Sequence, residues 1–218
     1  GAARNHGIEN STGAAVLFLD ADDLILPEHL SSLVDRLEGE KAAIAASDWL
    51  EFVDGSLEDP LHPTAIGGMT KMYPLGRDGQ PARLESAAIA YAPWAVHSAL
   101  VRRDCLSKER RWIPELDAFA SEDTAFWFRV LEGRRVAYTR RPTALYRTET
   151  ANFRNRHDQM RVWFASVQAY LRYNLAWLES SRREPDTSQC ESLVRLWESL
   201  VERARYLEEP AFAQTGLM

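Results

Sequence analysis

The chain has 218 residues, 45% hydrophobic and 27% charged, with a net charge of −6, the balance of a soluble globular protein. That acidity argues against a general nucleic-acid binder, and no stretch reaches the ~20 apolar residues that span a bilayer. Cys105 and Cys190 lack metal-site spacing and read as reduced thiols, so the expected location is the cytoplasm.

In chain order, residues 2–11 have helix-compatible composition and stop near Thr12-Gly13. The apolar run Ala14 to Leu19 predicts a buried strand that collapses at Asp20-Ala21-Asp22-Asp23. Pro27 can open a helix, which Leu30, Leu33, Val34 and Leu37 continue at helical spacing. Residues 42–48 and 49–53 predict two short strands or one bent strand. The Gly-, Pro- and Asp-rich stretch from 54 to 84 predicts a long functional loop or a mobile segment. His97 to Arg102 reads as a strand. Ser121 is placed to N-cap a helix over 122–132, and Gly133 is placed to end it. Residues 135–138 and 143–147 read as strands. Beyond 151 the pattern turns helical over 155–180 and 187–207, with Pro185 between, a helical hairpin. The predicted class is α/β with a C-terminal helical extension.

The first chemical signal is Asp20-x-Asp22 at the end of an apolar strand. Ligands of open α/β sheets bind at the carboxyl ends of strands, and alternate residues there face the same way. Two such carboxylates suit a hard divalent cation, which would stabilise a departing diphosphate. Read alone, the four residues serve equally well as an acidic turn ahead of a helix. The second signal, Ser121-Glu122-Asp123-Thr124, places acids in a first helical turn, where the helix dipole alone would favour them.

The wider context weighs on both. Ala3-Arg4-Asn5-His6-Gly7-Ile8, then Gly13, then Val16 to Asp23 and onward through Pro27, resembles the block around the Asp-x-Asp motif of family 2 glycosyltransferases. The segment from Ser121 to Arg129 is similar to that family's Glu-Asp motif. The resemblance implies a partial GT-A fold, a mixed Rossmann-like sheet flanked by helices. It implies a metal-dependent, inverting glycosyl transfer from a nucleotide-sugar donor, most simply a UDP-sugar, with Mn²⁺ or Mg²⁺ as cofactor.

Residue by residue, the resemblance gives Asp22 the metal and Asp20 the ribose, the diphosphate or the metal through water. It sets Arg4 near the nucleotide, makes Asp123 the general base and gives Glu122 a supporting role. The helix N-terminus is expected to lower the Asp123 pKa and keep it ionised. Tyr91 to Arg103 resembles the acceptor-side strand, giving Trp94 and His97 as acceptor contacts against the plainer reading of core residues. Pro142 to Glu149 resembles a segment ending in Tyr-Arg-x-His in the family. Glu149 stands at the His position, which leaves Glu149 or the nearby His157 as candidates for a third ligand.

The resemblance covers residues 2 to about 150 and lacks the family's opening strands, so the expectation is a chain that starts inside a longer gene product. The expected division is a catalytic domain over 1–150 and a helical extension over 151–218. A sheet missing strands exposes an edge, which predicts self-association, a homodimer, unless the C-terminal helices cover it. Their mixed charge favours packing over lipid binding, with peripheral membrane association left to partners. The acceptor reads as a glycan, a lipid-linked sugar or a protein, in glycan or polysaccharide biosynthesis. The competing reading is a non-catalytic scaffold. Phosphoryl-transfer readings lack support: there is no P-loop, and Leu24 stands where a phosphoaspartate hydrolase needs Thr.

Overall fold

The computed structural model describes residues 1–52, 65–67, 84–147 and 156–206. Most of the 54–84 loop reading and the Glu149 position lie outside the described residues, as does the side chain of His157. The helices are α1 (Ala2–Asn10), α2 (His29–Gly39), α3 (Leu84–Ala87), α4 (Glu122–Leu131), α5 (Arg156–Ser180) and α6 (Thr187–Tyr206). The strands are β1 (Ala15–Leu17), β2 (Leu24–Ile25), β3 (Ile44–Phe52), β4 (Ala65–Gly67), β5 (Ala99–Arg102) and β6 (Val136–Arg147). They form one mixed sheet in the order β1-β5-β3-β6-β2, with β4 pairing on β3.

The central strand explains itself. β3 is buried at nearly every position, so both its faces must be covered, and its buried residues include Ser47 and Asp48 beside the apolar ones. It pairs in parallel with β6 and antiparallel with β5 and β4. The two strands predicted over 135–138 and 143–147 are the halves of one strand, β6. Its register against β3 shifts between Ser47↔Thr139 and Trp49↔Ala144. Pro142 lies in that irregular stretch, where its missing N–H removes no regular ladder bond.

The sheet's two faces bury different partners. On one, Leu33 and Leu37 of α2 pack against Ala42, Ala45, Leu100 and Ala137. On the other, Val16, Ile44, Ala46, Ala99 and Val101 meet Ile8 of α1, the apolar face of α4, and Phe164, Val167, Leu196 and Leu200 of the C-terminal helices. The hairpin therefore buries its side chains in the same core as the sheet. Tyr170 Oη donates to the Ala90 carbonyl (2.7 Å) and Asn174 Nδ2 to the Ile89 carbonyl (2.9 Å), fastening α5 to the chain ahead of Trp94.

Helix ends deviate from expectation for local reasons. α2 begins at His29, not Pro27, because the buried His29 ring ties its first turn down: Nδ1 lies 2.6 Å from Thr143 Oγ1 and Nε2 lies 2.9 Å from the His97 carbonyl. Burial pushes the His29 pKa down. Ser121 does not cap α4 with its side chain. It sits in the left-handed region (φ 65°), not in the extended backbone of a capping residue. Gly133 ends that helical segment at φ 65°, as its lack of Cβ allows.

Arg129 stands out inside α4. Its side chain is buried, and its guanidinium donates to the carbonyls of Ala125 (2.9 Å), Glu109 (3.0 Å) and Arg111 (2.6 Å). Burial, helped by Arg110, lowers its pKa to about 10, so it is charged at neutral pH. One cation thus satisfies main-chain acceptors that lead directly to Trp112. Arg129→Met should destabilise the fold by about 2–4 kcal/mol, because the carbonyls lose their donors inside the core. Urea unfolding checks this; a change under about 0.5 kcal/mol would mean water reaches those carbonyls.

Candidate functional site

The site is built on an aromatic stack. Phe18, just past β1, packs edge-on against Trp112 (5.4 Å) and against Phe126 of α4 (5.6 Å). Trp112 and Phe126 lie face to face at 4.1 Å, 7° from parallel. Asn5 of α1 fixes the Trp112 backbone from both sides: Nδ2 donates to its carbonyl (2.9 Å), and Oδ1 accepts from its amide (3.0 Å).

On the free side of this stack lies Arg4. Its guanidinium carbon sits 4.3 Å from the Trp112 ring centre, a cation–π contact. The same guanidinium reaches two acidic segments far apart in the chain. Nη2 donates to both Asp20 oxygens (2.8 and 2.9 Å), and Nη1 donates to Glu122 Oε1 (2.7 Å). α1, the end of β1 and the start of α4 therefore converge on one cation. α1 itself is held at its C-terminal end by Arg103, which donates to the Ile8 carbonyl (2.9 Å) and to Ser11 Oγ (2.6 Å).

Asp123 follows Glu122 and feels the opposite balance. Burial, then the neighbouring Glu122 charge, raise its pKa from the usual carboxylate range to about 7, against the pull of Arg4 and of the α4 amides. The expectation that the helix N-terminus would keep this group low is therefore wrong. The amides act in that direction, but loss of water outweighs them.

The Asp20–Asp23 turn leads from β1 to β2, the two ends of the sheet order. Asp22 is exposed, and its carbonyl accepts from Arg147 Nε (2.6 Å). Asp23 is buried, with Oδ1 accepting from the Arg147 amide (2.9 Å). Tyr146, 42% exposed, lies in the field of Asp23, Asp123, Asp22 and Asp20, which adds to burial in raising its phenol pKa. A groove of ≈ 660 Å³ runs beside the clamp, lined by α1 (Arg4, Gly7), the β1 edge from Val16 to Leu19, and Asp20 and Glu122.

Of the residues picked out by sequence, Arg4, Asp20 and Glu122 are in direct contact, Asp123 adjoins them, and Asp22 lies on the same turn as Asp20. Trp94 is packed into the core, whereas His97 lies buried behind the acidic turn. Trp94 is 2% exposed with its ring 5.0 Å from Trp127, and His97 is fully buried with Nδ1 2.9 Å from Asp23 Oδ2. Neither presents a face to solvent in this conformation, because the packing of α4 and of β6 closes over them. Trp112, Asn5, Phe126 and Tyr146 were not singled out as site residues; only their three-dimensional convergence on Arg4 and the acidic turn reveals them.

As for a cation, the described residues hold no group of three or more His, Cys, Asp or Glu side chains able to enclose one. Asp22 is open, while both Asp20 oxygens are engaged by Arg4. Such a donor set fits an ion that arrives with substrate phosphates and keeps most of its waters, not a resident protein cage.

Residues 1–108 match the glycosyl transferase family 2 model. No curated protein matches the chain in sequence. Among solved structures, S. aureus TarS superimposes with a TM-score of 0.53 at 15% identity, covering 94% of this chain and 31% of that one. S. aureus TarS 1-349 in complex with UDP gives the same score, identity and coverage of this chain, with 51% of its own length covered. S. aureus TarS 1-349 alone gives 0.51 at 12% identity, covering 99% and 69%. The chain thus spans about a third to a half of the first two structures, a likeness that shows the fold. No helix among the described residues is long and apolar enough to cross a membrane. The family match assigns residues 1–108 to glycosyl transferase family 2, and the likeness of the sheet-and-helix frame gives the chain part of a GT-A fold.

Proposed function

We propose that this chain carries the reaction centre of a nucleotide-sugar glycosyltransferase, with Asp123 as the base and the Asp20–Asp22 turn on the diphosphate side. The observation that carries the reading is the Arg4 bridge, which draws Asp20 and Glu122 together beside Asp123. A base works best with a pKa near the operating pH, and Asp123 at about 7 meets that condition. In the proposed step the Asp123 carboxylate takes the proton of an acceptor hydroxyl as that oxygen attacks the anomeric carbon. The nucleoside diphosphate leaves toward Arg4 and the Asp20–Asp22 turn. A single displacement of this kind inverts the anomeric centre. A divalent cation, Mn²⁺ or Mg²⁺, held by Asp22 with help from Asp20, would supply charge neutralisation for the diphosphate.

UDP is the nucleotide to try first, because TarS 1-349 has been solved in complex with UDP. The acceptor is a hydroxyl-bearing glycan, lipid-linked sugar or protein, in glycan or polysaccharide assembly. A non-catalytic scaffold is the second reading, favoured by the engagement of both Asp20 oxygens by Arg4, which leaves Asp22 as the open carboxylate of the Asp20–Asp22 pair.

Calorimetric titration of UDP with and without Mn²⁺ separates the two. The catalytic reading expects Mn²⁺-dependent binding that Asp22→Ala weakens at least tenfold. Absence of binding under all conditions favours the scaffold.

Asp123→Asn should reduce turnover by roughly 10²–10⁴-fold while UDP binding persists. In the wild type, kcat/KM should rise about tenfold per pH unit below 7 and level off above it, since the ionised carboxylate is the active form. Near-normal turnover in Asp123→Asn would remove the base assignment.

The same shift predicts stability. Asp123 keeps its proton in the folded state up to about pH 7, whereas the unfolded chain loses it near pH 4. Folding stability from this group therefore falls as pH rises through that window. Asp123→Asn should raise the Tm at pH 8, and the gain should vanish near pH 4. Equal gains at both pH values would show that the carboxyl is not strained in the fold.

A further inference from the structure

The Asp20–Asp23 turn holds three carboxylates, and the reading above uses only two. Asp23 is 6% exposed, so it cannot face a ligand as Asp22 does. Its surroundings give it another task. Oδ1 accepts from the Arg147 amide at 2.9 Å, and Oδ2 lies 2.9 Å from Nδ1 of His97. That approach is off-axis, an electrostatic contact more than an aligned hydrogen bond, and neither ring nitrogen of His97 has another hydrogen-bond partner. The His97 ring is fully buried, roughly stacked on Tyr146 (6.3 Å, 12°), and the His97 carbonyl is fixed by His29 Nε2 at 2.9 Å.

These contacts leave little freedom. Arg147 closes on the turn twice, through its amide to Asp23 and through Nε to the Asp22 carbonyl. Within the turn, the Asp23 amide bonds back to the Asp20 carbonyl at 3.2 Å. The exposed Asp22 side chain thus stands on a turn whose main chain is held at Asp20, Asp22 and Asp23.

We propose that Asp23 and His97 are positioning residues that lock the Asp20–Asp22 turn onto β6, presetting the two outer carboxylates for a cation-bound diphosphate. His97 is the buried seat for Asp23 and acts through it. The inference rests on the glycosyl-transfer reading for its consequence, but the locking itself is measurable without any ligand. Groups one layer behind a metal typically affect its affinity 10–100-fold, which sets the size of the expected effect.

The test compares wild type with Asp23→Ala, Asp23→Asn and His97→Leu by hydrogen exchange of the ligand-free proteins, and by the Mn²⁺ concentration needed for UDP binding. Asp23→Ala and His97→Leu should speed amide exchange at residues 20–25 and at Arg147 by about tenfold or more, with α4 and β3 unchanged. The Mn²⁺ midpoint should rise about tenfold or more in the same variants. Asp23→Asn, which keeps an oxygen for the Arg147 amide, should fall between them and the wild type. If Asp23→Ala does not fold, Asp23→Asn and His97→Leu decide the matter. Unchanged exchange in the turn, or faster exchange spread evenly over the chain, would overturn the proposal. So would wild-type Mn²⁺ dependence in a variant that still binds UDP. Failure of the wild type to bind UDP with Mn²⁺ would instead strike at the catalytic reading, while turn exchange still reports on the lock.

Discussion

A single guanidinium holds this molecule's chemistry together. Arg4 must stay charged while largely withdrawn from water, and three features make that tolerable: two carboxylates in contact, an aromatic face beneath it, and a short helix that fixes its backbone. Desolvation opposes the cation, but the paired acids prevail and its pKa stays raised. An exposed ion pair contributes little, yet a bidentate pair on an aromatic face is far better defined in geometry. Its strength lies in placement: removing Arg4 would set Asp20 and Glu122 against each other across a shared space. Much of the local fold serves it, from Asn5 gripping Trp112 to Arg129 gripping the chain just ahead of it.

That arrangement also separates carboxylates that are chemically alike. Asp20 and Glu122 are spoken for by Arg4, Asp22 is exposed, Asp23 is sealed behind the turn, and Asp123 is pushed up to about 7. Different environments for similar groups are how one site assigns different roles. Here the division follows from topology. The end of β1 and the start of α4 each bring one acid, Asp20 and Glu122, to the cation, while Asp22 stays exposed and Asp23 is buried behind them.

Much of the frame was legible in the sequence because it depends on local periodicity. α1, α2, α4 and the two C-terminal helices fall within a few residues of expectation, and β3 is the single strand that the sequence left open beside two shorter ones. What escaped depends on distant partners. β6 reads as two strands because Pro142 interrupts the pattern, and only pairing with β3 across the bulge makes it one. Ser121 has the composition of a cap but not the backbone for it. The two acidic motifs were visible as motifs, whereas their link through Arg4 was not, since nothing local marks which cation joins them. Trp94 and His97 show the converse: residue type suggested sugar contact, and burial by α4 and β6 gave them structural neighbours instead.

The clamp has a further consequence for how the site must work. Arg4 occupies both oxygens of Asp20, so any cation that draws on Asp20 must displace part of that pairing. If the ligand is the proposed cation-bound diphosphate, its phosphates would offer the guanidinium the charge that Asp20 gives up. Under the proposed reading, Arg4 would exchange a carboxylate for a phosphate while keeping its Trp112 and Glu122 contacts. Such an exchange conserves charge pairing throughout, which lets a preorganised site admit a highly charged ligand with little rearrangement. The same proposal would give a use to the contacts that hold the turn at Asp20, Asp22 and Asp23. Only a fixed turn lets a side chain change partners while its main chain stays in place.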